Sequence, residues 1–133
     1  MATISFDDFE KLDIRIGTVK KAEVPEWSHW VIRMEVDFGP AFAEATAGKR
    51  KLVCFSGIMK FFTPAQLVGK QFPFVINLEP KKIGPDKEMS EAMMIMAVPS
   101  PKASAGKAIP SEEDIPPVLF KFQKKIPDGT RVR

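Results

Sequence analysis

An all-β barrel of five strands, with short helices and a C-terminal extension, is the architecture this sequence predicts, on three observations. Apolar and polar residues alternate with period two over residues 31–38, further strand-like runs follow with mostly short connections, and no helix–strand alternation suggests a parallel sheet. At 133 residues the chain has the length of one compact domain with a sizeable core.

Ser5 followed by Asp8 has capping-box spacing with an acidic residue in place of Glu or Gln. Phe6 and Phe9 share a helical face, so a short helix begins here. Over residues 12–22, Leu12, Ile14 and Ile16 alternate with Asp13 and Arg15, giving a first strand in which Gly17 permits a bend or a close approach. In the second strand Ile32, Met34, Val36 and Phe38 face one way and Arg33, Glu35 and Asp37 the other. Residues 40–51 read as a loop that opens into a third strand, 52–55, whose unbroken apolar run predicts burial on both faces. Thr63 as N-cap, Pro64 at the first helical position, Gln66 completing a capping box and Gly69 at the stop define a short helix. Residues 71–78 and 92–98 supply two more strands, separated by the polar segment 79–90 with its Gly84-Pro85 pair.

Three strands, one short helix and two strands form the layout of an OB-fold barrel, whose closure removes the exposed edges of an open sheet. Beyond Val98 the spaced prolines Pro99, Pro101, Pro110, Pro116 and Pro117 predict an extended connection. It leads to an apolar strand over residues 118–122 and a turn at Pro127-Asp128-Gly129-Thr130. The organisation expected is therefore a barrel core over residues 1–98 and an extension over 99–133.

The net charge is +3, and its distribution is segregated. Residues 48–87 hold eight Lys/Arg against two Asp/Glu and residues 118–133 five against one, whereas residues 1–47 and 88–117 are net acidic. Such segregation suits a face that meets a polyanion, and equally an ordinary solvated surface. Catalysis fails on inventory: one histidine, His29, and one cysteine, Cys54, inside an apolar run, assemble neither a triad nor a metal set. Asp7 and Asp8 suit a helix start, and Glu112, Glu113 and Asp114 a solvated run. No phosphate loop is present, because Gly48-Lys49 lacks the flanking residues of one, and no cofactor is expected. No apolar run reaches the length of a membrane span, and Asp7, Asp8 and Glu10 occupy the place of a basic leader; the expectation is a cytoplasmic chain without a membrane partner.

Four ordered motifs carry a family resemblance. Residues 9–17 (Phe-Glu-Lys-Leu-Asp-Ile-Arg-Ile-Gly), residues 63–70 with the capped helix, Asn77-Leu78-Glu79-Pro80-Lys81-Lys82-Ile83, and Ser90-Glu91-Ala92-Met93 follow in order between about residues 4 and 98. Together they resemble the tRNA-binding domain family, which comprises CsaA-like stand-alone proteins and the C-terminal domain of some methionyl-tRNA synthetases. Ala92 departs from the glycine usual there, residues 84–89 lengthen the loop before Ser90, residues 42–50 form an enlarged loop, and Trp27 and Trp30 replace a His-Pro-like turn.

The resemblance implies a non-enzymatic homodimer that grips the outer corner of tRNA by shape. Lys81 and Lys82 at a strand exit, Arg15 on the first strand and Lys60 before the capped helix suit phosphate contacts. Asn77, Ser90 and Met93 complete the expected RNA-binding set, Ser90 toward a phosphate or 2′-hydroxyl and Met93 toward a base or ribose. The bland readings are that Asn77 satisfies backbone, Ser90 caps a turn and Met93 joins the core. Val118, Phe120 and Phe122 on one strand face, with Phe6 and Phe9 from a partner, are expected to form the dimer interface. Two alternatives come with the resemblance: an export-related chaperone holding unfolded peptides on a Met-rich surface of Met59, Met89, Met93 and Met94, and an accessory module docked on an aminoacyl-tRNA synthetase.

Overall fold

The computed structural model describes residues 1–99 and 115–133. Helix α1 (Phe6–Glu10) begins where the spacing predicts, with the Ser5 hydroxyl accepting from the Asp8 amide at 3.1 Å and Asp7 and Asp8 in the first turn. Strand β1 (Ile14–Glu23) then pairs antiparallel with both β2 (Ile32–Asp37) and β4 (Gln71–Val75). It serves two neighbours by bending. A Cβ at Gly17 would lie 2.5 Å from Val36 Cγ1 and 2.8 Å from the Phe38 ring, and the β1–β2 register shifts between Val19 and Lys21.

The sheet runs β3-β2-β1-β4-β7, with β3 spanning Lys51–Ser56 and β7 Met93–Met94. The Glu91 amide donates to Val53 O at 2.7 Å, so the chain entering β7 meets β3 and brings the two ends of the sheet together into a nearly closed, OB-fold-like barrel. Inside lie Ile32, Met34, Val36, Phe38 and Phe74, all fully buried, with Phe38 meeting Phe74 edge-on at 5.6 Å. Full burial of such side chains contributes roughly 1.5–3 kcal/mol each. Helix α3 (Pro64–Leu67) plugs one end through Leu67; Gln66 Oε1 accepts from the Thr63 amide at 2.8 Å, as the capping pattern predicts.

Several boundaries differ from expectation. The loop expected at residues 40–51 contains helix α2 (Gly39–Ala45), because Phe42 buries against Phe38 at 5.3 Å and Asp37 Oδ1 accepts from the Gly39 amide. Strand β3 is buried alternately, not on both faces: Leu52 and Cys54 enter the core while Val53 and Phe55 are only half-buried. The strand expected at 71–78 stops at Val75, and that expected at 92–98 divides into β7 and β8 (Met96–Ala97). The polar segment 79–90 is itself a hairpin of β5 (Lys81–Ile83) and β6 (Glu88–Ser90).

Of the proline-rich connection expected after Val98, residues 100–114, including Glu112, Glu113 and Asp114, lie outside the described residues. The strand expected at 118–122 is reduced to β9 (Val118–Leu119), paired with β8. The following segment crosses back over β1. Gly129 N donates to Ile16 O at 2.7 Å, Ile16 N to Thr130 O at 2.9 Å, and β10 (Arg131–Val132) pairs with Ile14 and Arg15.

Candidate nucleic-acid interface

The hairpin β5–β6 carries the strongest cluster of sequence-predicted residues. Its register sets Lys81 opposite Ser90, Lys82 opposite Met89 and Ile83 opposite Glu88. Side chains of directly opposed residues project to the same side. On one side, Ser90 Oγ accepts from the Phe55 amide at 3.1 Å and Glu88 reaches Arg33 of β2, so this side faces the barrel. Lys82 and Met89 therefore face outward, whereas Lys81 shares the side of Ser90 at the base of the hairpin. Lys81 and Lys82 are both exposed, and among the described residues no ion pair engages either ammonium.

Three anchors hold this hairpin. Arg33 donates through Nε and Nη2 to the two Glu88 oxygens, each at 2.8 Å, and through Nη1 to Glu35 at 2.7 Å and Glu23 at 3.3 Å. The Trp27 indole lies over the hairpin turn: a Cβ at Gly84 would fall 2.5 Å from its Cζ2, and its ring stands 6.2 Å from that of Phe55. Beyond the hairpin, Glu91 Oε1 accepts from the Val53 amide at 3.1 Å while Glu91 Oε2 takes the Lys49 ammonium. The hydrogen bonds from Arg33 hold the Glu88 and Glu35 carboxyls below their ordinary range against the opposing effect of burial, and that of Glu88 in turn raises the guanidinium.

Met93, half-exposed on β7, pairs with Val75, so it borders the same edge of the barrel from which β5 departs. Met89 is exposed beside it in the chain, whereas Met94 is a core residue and Met59 is half-buried, so the methionines do not form one surface. Ala92 is buried, with its carbonyl facing Ser90 Oγ at 3.5 Å. Asn77 lies at the exit of β4 with both ends of its amide engaged: Oδ1 accepts from Asp13 N at 2.8 Å and Nδ2 donates to Lys11 O at 2.6 Å. Arg15 is turned toward the C-terminal turn, donating to Asp13 at 2.7 Å and to Gly129 O at 3.1 Å. Lys60 belongs to the loop after β3, with its ammonium 5.8 Å from the Phe61 ring centre. The hairpin thus carries Lys81, Lys82 and Ser90 together, whereas Met93, Arg15, Asn77 and Lys60 lie on other elements.

A second concavity lies between the tail and the barrel. A groove of about 1000 Å³ is lined by Phe62, Phe72, Val118, Phe120 and Phe122 together with Lys20, Lys70, Lys121, Lys124 and Lys125. Phe6 and Phe9 are not in it; they stack on each other at 6.5 Å, Phe6 largely exposed. Among the described residues no group of three or more His, Cys, Asp or Glu could hold a metal, and no helix is long and apolar enough to cross a membrane. Burial pushes the Cys54 thiol up to about 12, against a smaller opposing hydrogen bond from the Met94 backbone.

Arg33, Glu88, Trp27 and Gly84 were not among the predicted site residues. The available signal was the pairing of two short runs, Lys81-Lys82-Ile83 and Glu88-Met89-Ser90, around a Gly-Pro turn, which is a hairpin pattern.

No family model matches the chain. Over 129 residues, 97% of its length, it is 36% identical to the methionine–tRNA ligase of Archaeoglobus fulgidus, and over 113 residues, 85% of its length, 36% identical to that of Porphyromonas gingivalis. The matches cover only 16% and 15% of those ligases, so the chain spans about a sixth of the length of these relatives. Among solved structures, the MetRS-related protein from Pyrococcus horikoshii superposes with a TM-score of 0.77 at 30% identity over the whole of both chains. The chaperone CsaA from Bacillus anthracis gives 0.73 at 29% identity, covering 99% of this chain and all of that one. Barrel, hairpin and sequence thus define a small OB-type domain of the MetRS-related class. The chain belongs to the tRNA-binding domain family that includes the MetRS-related and CsaA proteins.

Proposed function

We propose that this chain binds tRNA without catalysing a reaction on it, as a cytoplasmic homodimer, using the basic β5–β6 hairpin to engage the phosphate backbone. The observation that carries this reading is the pair Lys81 and Lys82, exposed and without carboxylate partners among the described residues, on a hairpin fastened to the barrel by Arg33 and Trp27. Free ammonium groups on a rigid support suit sequence-independent phosphate contacts, and the exposed Met89 and Met93 add apolar surface for a ribose or base. Ser90 and Asn77 contribute by holding backbone, and Arg15 by holding the C-terminal turn.

The groove beside Val118, Phe120 and Phe122 supports the homodimer, since α1 of a second copy, with Phe6 and Phe9 exposed or half-buried, is an apolar element of suitable kind. Sedimentation tests it: a monomer at micromolar concentration overturns this part. The same groove, and the likeness to the B. anthracis chaperone, favour a second reading in which extended unfolded peptides are held there. The likeness to methionine–tRNA ligases supports a third partner, an aminoacyl-tRNA synthetase. Titration of bulk tRNA at two salt concentrations, with wild type and Lys81→Ala/Lys82→Ala, separates the readings. Phosphate-led binding weakens steeply with salt and is reduced in the double variant, whereas apolar peptide capture follows neither. A double variant that binds tRNA as well as the wild type overturns the proposal.

A further inference from the structure

We propose that Arg33 and Glu88 are positioning residues for RNA: their bidentate pair, with Trp27 packed on Gly84, sets the angle at which the β5–β6 hairpin presents Lys81 and Lys82. This rests on the reading of the hairpin as the tRNA-binding element. Four observations carry it.

The hairpin is not part of the barrel sheet; β5 and β6 pair only with each other. Apart from the Glu91 amide on Val53 O just beyond β6, its attachment to the barrel is through side chains, Ser90 on the Phe55 amide among them. A two-stranded ribbon of three residues a side is marginal alone in water, so what holds it decides where its lysines stand.

The guanidinium is committed. Glu88, Glu35 and Glu23 take Nε, Nη2 and Nη1, and only 18% of the Arg33 side chain is exposed, so little of it is open to a phosphate. A planar fork meeting a carboxylate through two parallel bonds fixes direction as well as distance, which a lysine ammonium cannot do.

The charge around it has the wrong sign for direct contact. Three carboxylates surround the guanidinium, and in the small recess beside Trp27 Glu26 and Asp86 join Glu23, Glu35 and Glu88 against Arg33 and Lys21, five acidic side chains to two basic ones. On electrostatics alone this corner repels RNA. A carboxylate on the hairpin that carries the lysines is explained by what it holds.

The second anchor, Trp27 on Gly84, is uncharged. Gly84 stands at φ +75° under the Trp27 indole, so any side chain at residue 84 must displace the ring or the turn.

The test exploits the sign. Glu88→Ala removes a negative charge next to the lysines, which by charge alone tightens tRNA binding; as the loss of an anchor, it weakens binding by about tenfold, the factor associated with ordering one or two long side chains at an interface. Gly84→Ala changes no charge and should weaken binding similarly. In both variants the slope of log affinity on log salt stays at the wild-type value, because no phosphate contact is removed, and amides of residues 81–90 lose hydrogen-exchange protection. Lys81→Ala/Lys82→Ala does the opposite, lowering the slope with protection intact. Arg33→Lys, which keeps charge without the fork, should resemble Glu88→Ala. Binding by Glu88→Ala that equals or exceeds wild type, or hairpin amides that stay protected in both anchor variants, overturns the inference. Wild-type protein that binds no tRNA at low salt overturns the proposed function itself, an outcome distinct from one in which wild type binds and Glu88→Ala binds equally well.

Discussion

The Thr18 hydroxyl donates to the Asp128 carboxylate over 2.7 Å, joining β1 to a residue 110 positions further along the chain. Gln71 of β4 completes the fastening: its Nε2 donates to Asp128 Oδ1 and Ile126 O, and its Oε1 accepts from Ile126 N. The tail is thus held by polar groups of two barrel strands. Asp128→Ala leaves the Thr18 hydroxyl, on a buried residue, without its acceptor. A loss of about 1–3 kcal/mol is expected. Urea unfolding measures it, and exchange of amides 126–130 should rise.

Gly129, one residue on, makes a sharper case. It stands at φ +87°, and a Cβ there would lie 2.4 Å from Phe38 O; Gly48, at φ +89°, has nothing within 4 Å. Both alanine variants meet the left-handed backbone penalty of about 1–2 kcal/mol, but Gly129→Ala also forces its turn away from the Phe38 carbonyl, adding roughly 1–3 kcal/mol. Thermal denaturation should therefore rank Gly48→Ala well above Gly129→Ala. Equal melting temperatures would mean that the tail yields without resistance.

The barrel was legible because its signals are local: the alternation of Ile32, Met34 and Val36, the Ser5 and Thr63 starts, and Gly17 where β2 side chains approach. Helix α2 was hidden because its burial depends on one aromatic contact, Phe42 on Phe38, supplied by tertiary structure. That Asn77 satisfies backbone is one of its two sequence readings and Arg15 suits a phosphate contact, yet the acceptors they meet, Lys11 O and Gly129 O, lie 66 and 114 residues away. Sequence spacing carries no information about such distant acceptors. The same holds for Arg33 and Glu88, separated by 55 positions.

Stability should fall on acidification, through Glu35, Glu88 and Asp37. The Arg33 hydrogen bonds hold both glutamates below their ordinary 4.5; for Asp37, burial pushes upward but the Arg50 side chain and the Gly39 amide together bring it below 3.8. A carboxyl lowered in the folded state binds fewer protons there than in the unfolded chain. Its contribution is complete above those ordinary values and is lost as pH drops through the lowered ones. Urea midpoints should be flat from pH 7 to about 5 and decline below. Glu88→Gln should start lower at pH 7 and lose less between pH 5 and 3; a profile parallel to wild type would remove Glu88 from the acid transition.

The cations of this protein divide by whether a carboxylate already holds them, and salt dependence reads that division. Neutralising a phosphate releases counterions, so each contact adds about 0.9 to the slope of log affinity on log salt for a duplex. Lys81 and Lys82, unpaired among the described residues, should each contribute on that scale, and their double alanine variant should lower the slope by somewhat under about 2. Arg15 is already paired with Asp13 and bonded to Gly129 O, so binding RNA through it requires breaking both. Arg15→Ala should leave the slope unchanged and lower the melting temperature instead, because the C-terminal turn loses a tether. Were Arg15→Ala to lower the slope as much as Lys81→Ala, the Asp13 pair would have to open on binding, and the contact surface would extend from the hairpin across β1.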